Sequence, residues 1–509
     1  MDADAATSMT EEPDVDAELL LGGVLRTLAQ HGYFDPDTDQ PVIRFLHPEQ
    51  LQKELPVRLE GQSTSPEEMQ RIMEQIVRYS VRTCSPHFHN QLYAGVDAYG
   101  LAGAWLTEVL NTSQYTYEVA PVFSLLEREV IERSLELFGY PGAPEADGIL
   151  SPGGSLSNMY GIVVARYARF PQIKAAGTSG LPRLALFTSE DGHYSITKGA
   201  HWLGLGTDNV FKVKTDALGR MDAEALRVKV AEARAKDCVP FFVNATAGTT
   251  VLGAFDPLGE IAAVCREENL WLHVDACLGG TLLLSDKYRH RLEGIEKSNS
   301  VSWNPHKLLG APFQCSLFLV KGKNLLHEAN CAQAKYLFQQ DKFYDVSWDT
   351  GDKSLQCGRK VDAMKFWLMW KARGAVALAK SVDRALEAAE YFLEKIRSRP
   401  GFRLVLPKYE CSNVCFWYVP KRMRAPESRE DAVWRRRLHR VAPAIKERMI
   451  MDGNLMVGYT PMPHKDLDNF FRMVVNCQPP PNRANMDYVV EQIERYGEEL
   501  LSGVDDSVN

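Results

Sequence analysis

Apolar residues recur every three to four positions in two segments of the first third of the chain. This spacing places them on one face of a helix and predicts amphipathic helices over residues 67–82 and 122–138. Residues 1–16 differ, because they are small and acidic with little apolar content. We predict that residues 1–16 are a disordered tail.

The middle of the chain alternates between short apolar runs and helical stretches. From residue 184 to 320 the runs have the length of strands, and segments such as 222–235 and 257–268 have helical spacing. This alternation is typical of a mostly parallel sheet covered by helices, so we predict an α/β fold. Ligands of such sheets bind outside the carboxyl ends of the strands.

The pattern changes after residue 362. A long helical segment continues to about residue 397 and ends near Pro400 and Gly401. The remainder predicts a smaller α+β domain, with strands over 402–406, 414–419, 455–459 and 470–475 and helices over 429–450 and 485–500. We therefore divide the chain after its tail into an N-terminal helical segment (17–110), a large domain (111–362) and a C-terminal domain (363–509).

Composition narrows the function classes. With 509 residues, 45% of them hydrophobic and 24% charged, the chain is predicted to be globular with two or three domains. A net charge of −8 offers no basic surface to nucleic acid, and no apolar run approaches the length of a membrane span. The 10 cysteines lack paired metal-ligand spacing. Without a signal-peptide pattern they indicate reduced thiols in the cytoplasm, and we predict no metal.

Two polar residues that could act in chemistry follow neighbouring apolar runs. Asp275 comes just after the run 270–272, and Lys307 closes an Asn-Pro-His-Lys string 32 residues later. That separation fits one strand–connection–strand unit. A lysine amine and a separate carboxylate on neighbouring strand ends are what pyridoxal phosphate requires, one to form an imine and one to keep the pyridine nitrogen protonated. Taken singly, a helix-capping Asp and a solvated Lys are the commoner meanings.

A serine- and glycine-rich string at 151–158 opens a helical pattern at 159–165. Glycines allow the backbone to approach an anion, and a helix N-terminus offers free N–H groups, so the string is a candidate phosphate cradle. A tight turn with a helix cap remains open as the alternative. The string has neither the Walker nor the Rossmann pattern.

His193 follows another strand-like run, at 184–188. Its ring could lie against a cofactor or bind a carboxylate. A histidine satisfied within a polar turn is an equally open interpretation.

Together these strings resemble the group II pyridoxal-phosphate decarboxylases. The similar branch acts on acidic amino acids: glutamate, cysteine sulfinate and aspartate. The resemblance extends from about residue 81 to the end of the chain. The matching strings lie at 90–92, 111–118, 151–158, 193–196, 247–250, 304–307, 336–342 and 349–353.

The resemblance implies a fold-type I pyridoxal-phosphate transferase fold and a role for each matching residue. Lys307 would form the imine, Asp275 would pair with the pyridinium nitrogen, and His193 would stack on the ring. Thr250 would lie near the ring hydroxyl or Asp275. The phosphate would be held by Ser155, Leu156 through its N–H, Ser157 and Asn304.

The resemblance also implies how substrate is handled. Tyr344 would protonate the substrate from a mobile loop, and Arg472 would bind the distal acid group. Gln91 and Tyr93 would line the pocket, and the glutamate enzymes carry a serine at the position of Tyr93. An aromatic ring there favours a substrate one carbon shorter than glutamate. The alternative is that Tyr93 turns into the core and has no effect on substrate length.

One pair of residues departs from the family pattern. Cys277 and Leu278 stand where the family usually has alanine and tryptophan. Loss of an aromatic side chain is expected to loosen packing or enlarge a cavity. We interpret Cys277 as a small core residue rather than a reactive thiol.

The predicted activity is the decarboxylation of cysteine sulfinate to hypotaurine, of aspartate to β-alanine, or of both. The alternatives are glutamate decarboxylation and a catalytically silent paralogue. Absence of Tyr344 would favour transamination or oxidative deamination, but Tyr344 is present. The resemblance further implies a homodimer with sites at the subunit boundary and the segment 17–110 in the contact.

Overall fold

The computed structural model describes residues 16–35, 39–59, 61, 63–424 and 431–499. Residues 1–15 of the predicted tail lie outside this part, and Asp16 caps the first helix by accepting the Leu19 N–H at 3.0 Å. The described α-helices are α1 (Ala17–Gln30), α2 (Pro48–Glu54), α3 (Pro66–Tyr79), α4 (Ala98–Leu110), α5 (Pro121–Leu137), α6 (Gly154–Arg169), α7 (Ile173–Ala176), α8 (Ser195–Trp202), α9 (Ala223–Ala235), α10 (Leu258–Glu267), α11 (Leu325–Asn330), α12 (Asp362–Arg397), α13 (Ala432–Asp452) and α14 (Arg483–Glu499).

The described strands form two sheets. They are β1 (Phe88–His89), β2 (Ala146–Ser151), β3 (Arg183–Ser189), β4 (Val210–Val213), β5 (Cys238–Thr246), β6 (Trp271–Asp275), β7 (Ser300–Trp303), β8 (Ser316–Lys321), β9 (Phe402–Leu404), β10 (Asn413–Tyr418), β11 (Met456–Met462) and β12 (Leu467–Val474). Within the described residues, no helix is both long and apolar enough to cross a bilayer.

The larger sheet has the strand order β2-β8-β7-β6-β5-β3-β4. Strands β4, β3, β5, β6 and β7 run parallel to one another, and β8 is antiparallel to both of its neighbours. The predicted α/β fold with a mostly parallel sheet is therefore confirmed. Because β6 and β7 are adjacent and parallel, Asp275 and the string that contains Lys307 leave the sheet at the same edge.

Helix α6 packs closely on this sheet, against β7 and β8 among others. A Cβ atom at Gly161 would come within 2.8 Å of the His273 ring on β6, so glycine is what permits this approach. The first turn of α6 is thereby held over the strand ends.

The smaller sheet has the order β1-β11-β12-β10-β9. Its strands and its helices α13 and α14 confirm the predicted α+β elements, although β11 continues three residues beyond the predicted end at 459. Strand β1 comes from the N-terminal segment and pairs in parallel with β11. This pairing carries the pocket residues that follow β1 into the C-terminal part of the fold. The domain boundaries themselves stay predictions.

Helix α12 confirms the predicted long helical segment over residues 362–397. Its path bends at Gly374, whose φ of 68° interrupts the helical backbone. The predicted helices at 67–82 and 122–138 are present as α3 and α5 with slightly different ends.

Candidate active site

A cavity of about 490 Å³ lies at the carboxyl ends of the parallel strands. Its walls come from the turns after β2, β3, β5 and β7, from the end of β6, from the segment after β1, and from β12. The sequence-predicted residues that line it are Gln91, Tyr93, Ser155, His193, Thr250, Asp275, Asn304, Lys307 and Arg472.

Asp275 ends β6 and is only 5% exposed. Asn158 Nδ2 donates to its Oδ2 at 2.8 Å, and the Cys277 N–H donates to its Oδ1 at 3.1 Å. Burial raises the pKa of this carboxyl, but the charges of Lys307 and His193 and hydrogen bonding from the Asn158 and Cys277 side chains outweigh it, so the net pKa is lowered. Asp275 is therefore an ionised carboxylate in the cavity wall.

A buried network fixes the orientation of Asn158. Its Oδ1 lies 3.0 Å from His273 Nε2, and His273 Nδ1 lies 2.9 Å from the Ser300 hydroxyl, which itself accepts from Trp271 at 2.9 Å. Burial lowers the pKa of His273 to about 4, so its ring is neutral. An ionised Asp275 can only accept, so Asn158 directs its amide N–H toward Asp275 and its Oδ1 toward His273 Nε2, which therefore carries the ring proton.

Lys307 lies in a turn just beyond β7, where its N–H donates to the Asn304 carbonyl at 3.0 Å. It is partly buried in the cavity wall, not solvated as an isolated surface lysine would be. Its positive charge lowers the pKa of both Asp275 and His193. The amine therefore lies close enough to both groups to act on one bound molecule.

The turn between β2 and α6 brings its backbone against Asn304. Gly153 has a φ of 105°, and a Cβ at Gly154 would lie 2.6 Å from Asn304 Nδ2. Ser155 and Asn304 line the cavity. Leu156 and Ser157 do not line it: the Leu156 N–H donates to the Gly153 carbonyl at 3.0 Å, and the Ser157 hydroxyl lies 2.6 Å from that of Ser151.

His193 and Thr246 complete the wall between β3 and β5. Burial lowers the pKa of His193, with Lys307 acting in the same direction and Asp275 against it. The Thr246 hydroxyl is buried and has no hydrogen-bond partner within the described part of the chain. An orphaned hydroxyl, an ionised carboxylate and a close-packed glycine turn suit an aromatic cofactor with a phosphate group.

Comparison with known proteins agrees with this chemistry. Residues 48–419 match the model of the pyridoxal-dependent decarboxylase conserved domain. The chain belongs to this family. It is 48% identical over 504 residues to cysteine sulfinic acid decarboxylase of Homo sapiens, covering 98% of this chain and 100% of that protein. It is 50% identical over 466 residues to acidic amino acid decarboxylase GADL1 of Bos taurus, covering 91% of this chain and 88% of that protein.

The fold of this chain also matches that of a solved crystal structure. The crystal structure of mouse CSAD has a TM-score of 0.91 and 46% identity to this chain, and the match covers 96% of this chain and 100% of that one. Because members of this family depend on pyridoxal phosphate, pyridoxal phosphate is the cofactor of this decarboxylase.

Arg472 on β12 places a cation in the wall of the decarboxylase cavity. Its Nη1 donates to the Thr250 carbonyl and its Nη2 to the Asn90 carbonyl, each at 3.1 Å. Burial lowers the pKa of the guanidinium, which still stays charged at neutral pH. No carboxylate of the described residues pairs with it, so its charge is open to an acidic ligand.

Tyr93 and Phe313 form an aromatic wall of the same cavity. Their ring centroids are 5.3 Å apart, and Tyr93 is 37% exposed. The Tyr93 ring therefore lies in the cavity wall and not in the core. Sequence reasoning missed Phe313 and also Asn158, although Asn158 closes the serine- and glycine-rich string and its position was a usable signal.

Tyr344 does not line the cavity of its own chain. Its hydroxyl donates to Asp349 Oδ1 at 2.9 Å and accepts from Lys342 at 3.1 Å. Asp349 also accepts the Tyr117 N–H at 2.8 Å, so the loop is anchored to the segment 111–118. The loop sequence predicted no such anchor.

Cys277 and Leu278 occupy the position where the family pattern is broken. Cys277 lines the cavity, and burial, with the negative charge of Asp275, raises the pKa of its thiol, so it stays protonated. Leu278 is buried in the main core. Both side chains therefore act in packing.

One group of potential metal ligands lies elsewhere among the described residues. His327, Cys331 and Asp352 have ligand atoms within 4.8 Å of one another. Lys174 Nζ lies 3.0 Å from the Cys331 sulfur, and an ammonium in that position repels a cation. We therefore assign no metal to this cluster.

Proposed function

We propose that this protein removes the α-carboxyl group of short acidic amino acids, converting cysteine sulfinate to hypotaurine and aspartate to β-alanine. The observation that carries the proposal is Arg472, a partly buried guanidinium in the cavity wall with no carboxylate partner in the described residues. The named activities of the human and bovine relatives support the same class of substrate.

Pyridoxal phosphate, when bound, supplies the electron sink for the negative charge that develops at Cα as CO₂ leaves. The Lys307 amine would hold it covalently, and the ionised Asp275 would keep its ring nitrogen protonated. His193 would cover the ring face, and Ser155 and Asn304 would bind its phosphate, with the helix N-terminus behind them. The assignments of Leu156, through its N–H, and Ser157 to the phosphate, and of Thr250 to the ring hydroxyl or Asp275, stay predictions.

Substrate length would be set between Arg472 and the aromatic wall. The guanidinium would bind the distal sulfinate or carboxylate, and Gln91, Tyr93 and Phe313 would limit the space beside it. One methylene in such a pocket is worth about 1–3 kcal/mol of discrimination. This favours cysteine sulfinate and aspartate over glutamate, which stays the alternative substrate.

The proton that Cα receives after CO₂ leaves would come from Tyr344. Burial, among other causes, raises the pKa of its phenol, so Tyr344 carries a proton to donate at neutral pH. Its position outside its own cavity requires that the loop close over the site or reach the cavity of a neighbouring subunit.

A homodimer is the proposed assembly, and its support is an apolar patch on α4 and α5. The patch consists of Trp105, Leu106, Val109, Leu110, Val122 and Leu125, all of them exposed in the single chain. An apolar surface of this kind indicates an interface between subunits. The 10 cysteines of the chain are all free, which supports the cytoplasm as the compartment.

The test is product analysis with cysteine sulfinate, aspartate and glutamate offered in equal amounts to the purified holoenzyme. We expect hypotaurine and β-alanine to dominate over the product of glutamate. A clear preference for glutamate would contradict the length argument. Absence of every amine product would instead support a silent paralogue, which the presence of Lys307 and Asp275 argues against. Lys307→Ala is the control, and it should lose both activity and the borohydride-reducible visible absorption.

A further inference from the structure

A half-buried lysine lies behind the substrate-binding arginine. Lys446 is on α13, the helix that packs against β11 and β12. Its Nζ donates to the side-chain oxygen of Asn90 at 2.6 Å. Lys446 does not line the cavity, so it cannot contact a substrate directly.

Asn90 joins this lysine to Arg472. Its side-chain oxygen accepts from Lys446, and its backbone carbonyl accepts from Arg472 Nη2 at 3.1 Å. Gly458 on β11 leaves the room for this carbonyl, because a Cβ there would come within 3.1 Å of it. Asn90 thus accepts a hydrogen bond from Lys446 on its side chain and one from Arg472 on its backbone carbonyl.

Burial of the Lys446 amine without a counter-ion is energetically unfavourable. Burial lowers the pKa of its amine to about 7, and no carboxylate of the described residues forms an ion pair with it. Its hydrogen-bond partner within the described part of the chain is the neutral amide of Asn90. A partly desolvated amine without a counter-ion is costly and is retained where it serves a function.

We propose that Lys446 is a positioning residue for the distal acid group of the substrate, acting through Asn90 to hold Arg472. The hydrogen bond from Lys446 fixes the Asn90 side chain and with it the carbonyl that orients the guanidinium. The inference rests on the proposed function, because Arg472 has this role only if the substrate carries a distal acid.

The first test is the Lys446→Met holoenzyme, which keeps the length of the side chain and removes the donor. We expect KM for cysteine sulfinate to rise about tenfold, with kcat changed less than about twofold, because Arg472 loses the support that orients it for binding while the groups of the chemical step are untouched. Lys446→Arg should restore most of the affinity. Arg436→Met, at an exposed position of the same helix, is the matched control.

A second readout separates positioning from a general effect on the fold. Succinate and butyrate are tested as competitive inhibitors, since they differ in the distal acid group. Lys446→Met should weaken succinate about tenfold and leave butyrate unchanged. Equal weakening of both would overturn the proposal.

Asn90→Ala supplies the remaining test. If Lys446 acts through Asn90, the double variant should be no weaker in succinate binding than either single variant. Additive losses of succinate affinity in the double variant would contradict an action of Lys446 through Asn90. If the wild-type holoenzyme decarboxylates no acidic amino acid, the proposed function fails. If the wild type is active and Lys446→Met keeps its KM, the inference alone fails.

Discussion

Asp275 is a buried carboxylate that the folded chain keeps ionised. Burial alone would favour the neutral acid, but Lys307, His193 and the amide of Asn158 favour the anion more strongly. The amide is itself oriented by the neutral His273 ring. The electrostatic state of one side chain therefore depends on residues from four separate parts of the chain.

Replacing Asp275 with asparagine tests the importance of this charge. Asparagine is nearly the same size but cannot keep a ring nitrogen protonated, so we expect kcat to fall about 100-fold or more. The measurement is the rate of CO₂ release under saturating substrate. Asp286→Asn, at an exposed position, should behave as wild type. Full activity in Asp275→Asn would rule out the assigned role.

At the scale of elements, two adjacent parallel strands place residues in the cavity wall, whereas one loop holds Tyr344 away from it. Asp275 and Lys307 lie at one edge of the sheet because β6 and β7 are parallel, so their carboxyl ends meet at that edge. The loop that carries Tyr344 is instead held by Asp349 and Lys342 at a distance from the cavity. Chemistry at Tyr344 therefore requires a rearrangement or a second subunit.

The loop is tested with Tyr344→Phe, which removes the hydroxyl and keeps the ring. We expect kcat to fall about 100-fold, with cofactor absorption and the inhibition constant of succinate unchanged, because proton donation alone is lost. Tyr336→Phe, exposed on the same segment, is the control and should keep its rate. A normal rate in Tyr344→Phe would assign the proton to another group.

At the scale of the whole molecule, the apolar patch on α4 and α5 has no cover in the single chain. Val109 is 78% exposed, so most of its apolar surface contacts solvent in the single chain. A second copy placed on this patch would bury it, and would bring a neighbouring loop near each cavity if the interface borders the site.

The assembly is tested with the double variant Val109→Lys and Leu110→Lys. Two charges in the interface of the proposed homodimer should raise its dissociation constant at least about tenfold, as seen by light scattering after size-exclusion chromatography. Val228→Lys, equally apolar and exposed on α9, should leave the assembly unchanged. Retention of the dimer in the double variant would place the interface elsewhere. Loss of activity together with the dimer would indicate that the activity requires the assembled dimer.

Several features of the site were beyond sequence reasoning. The period of the apolar residues predicted the sheet, and the polar residues at the ends of the runs predicted Asp275, Lys307 and His193. Nothing local connects Phe313 to Tyr93, or Lys446 to Asn90, which is 356 residues away in the chain. Such contacts depend on how helices and strands pack and leave no mark in the local pattern.

The amino-acid sequence by itself determined which residues could do chemistry and at which strand ends they would emerge, because side-chain period and turn residues are local properties. The tertiary structure decided which of those residues share one cavity, which charges they feel and which lie apart. It placed Leu156, Ser157 and Tyr344 outside the cavity lining, and it brought Asn158, Phe313 and Lys446 to the cavity or behind it. The reason is that proximity between distant segments is set by the packing of the whole chain, and burial then sets their ionisation.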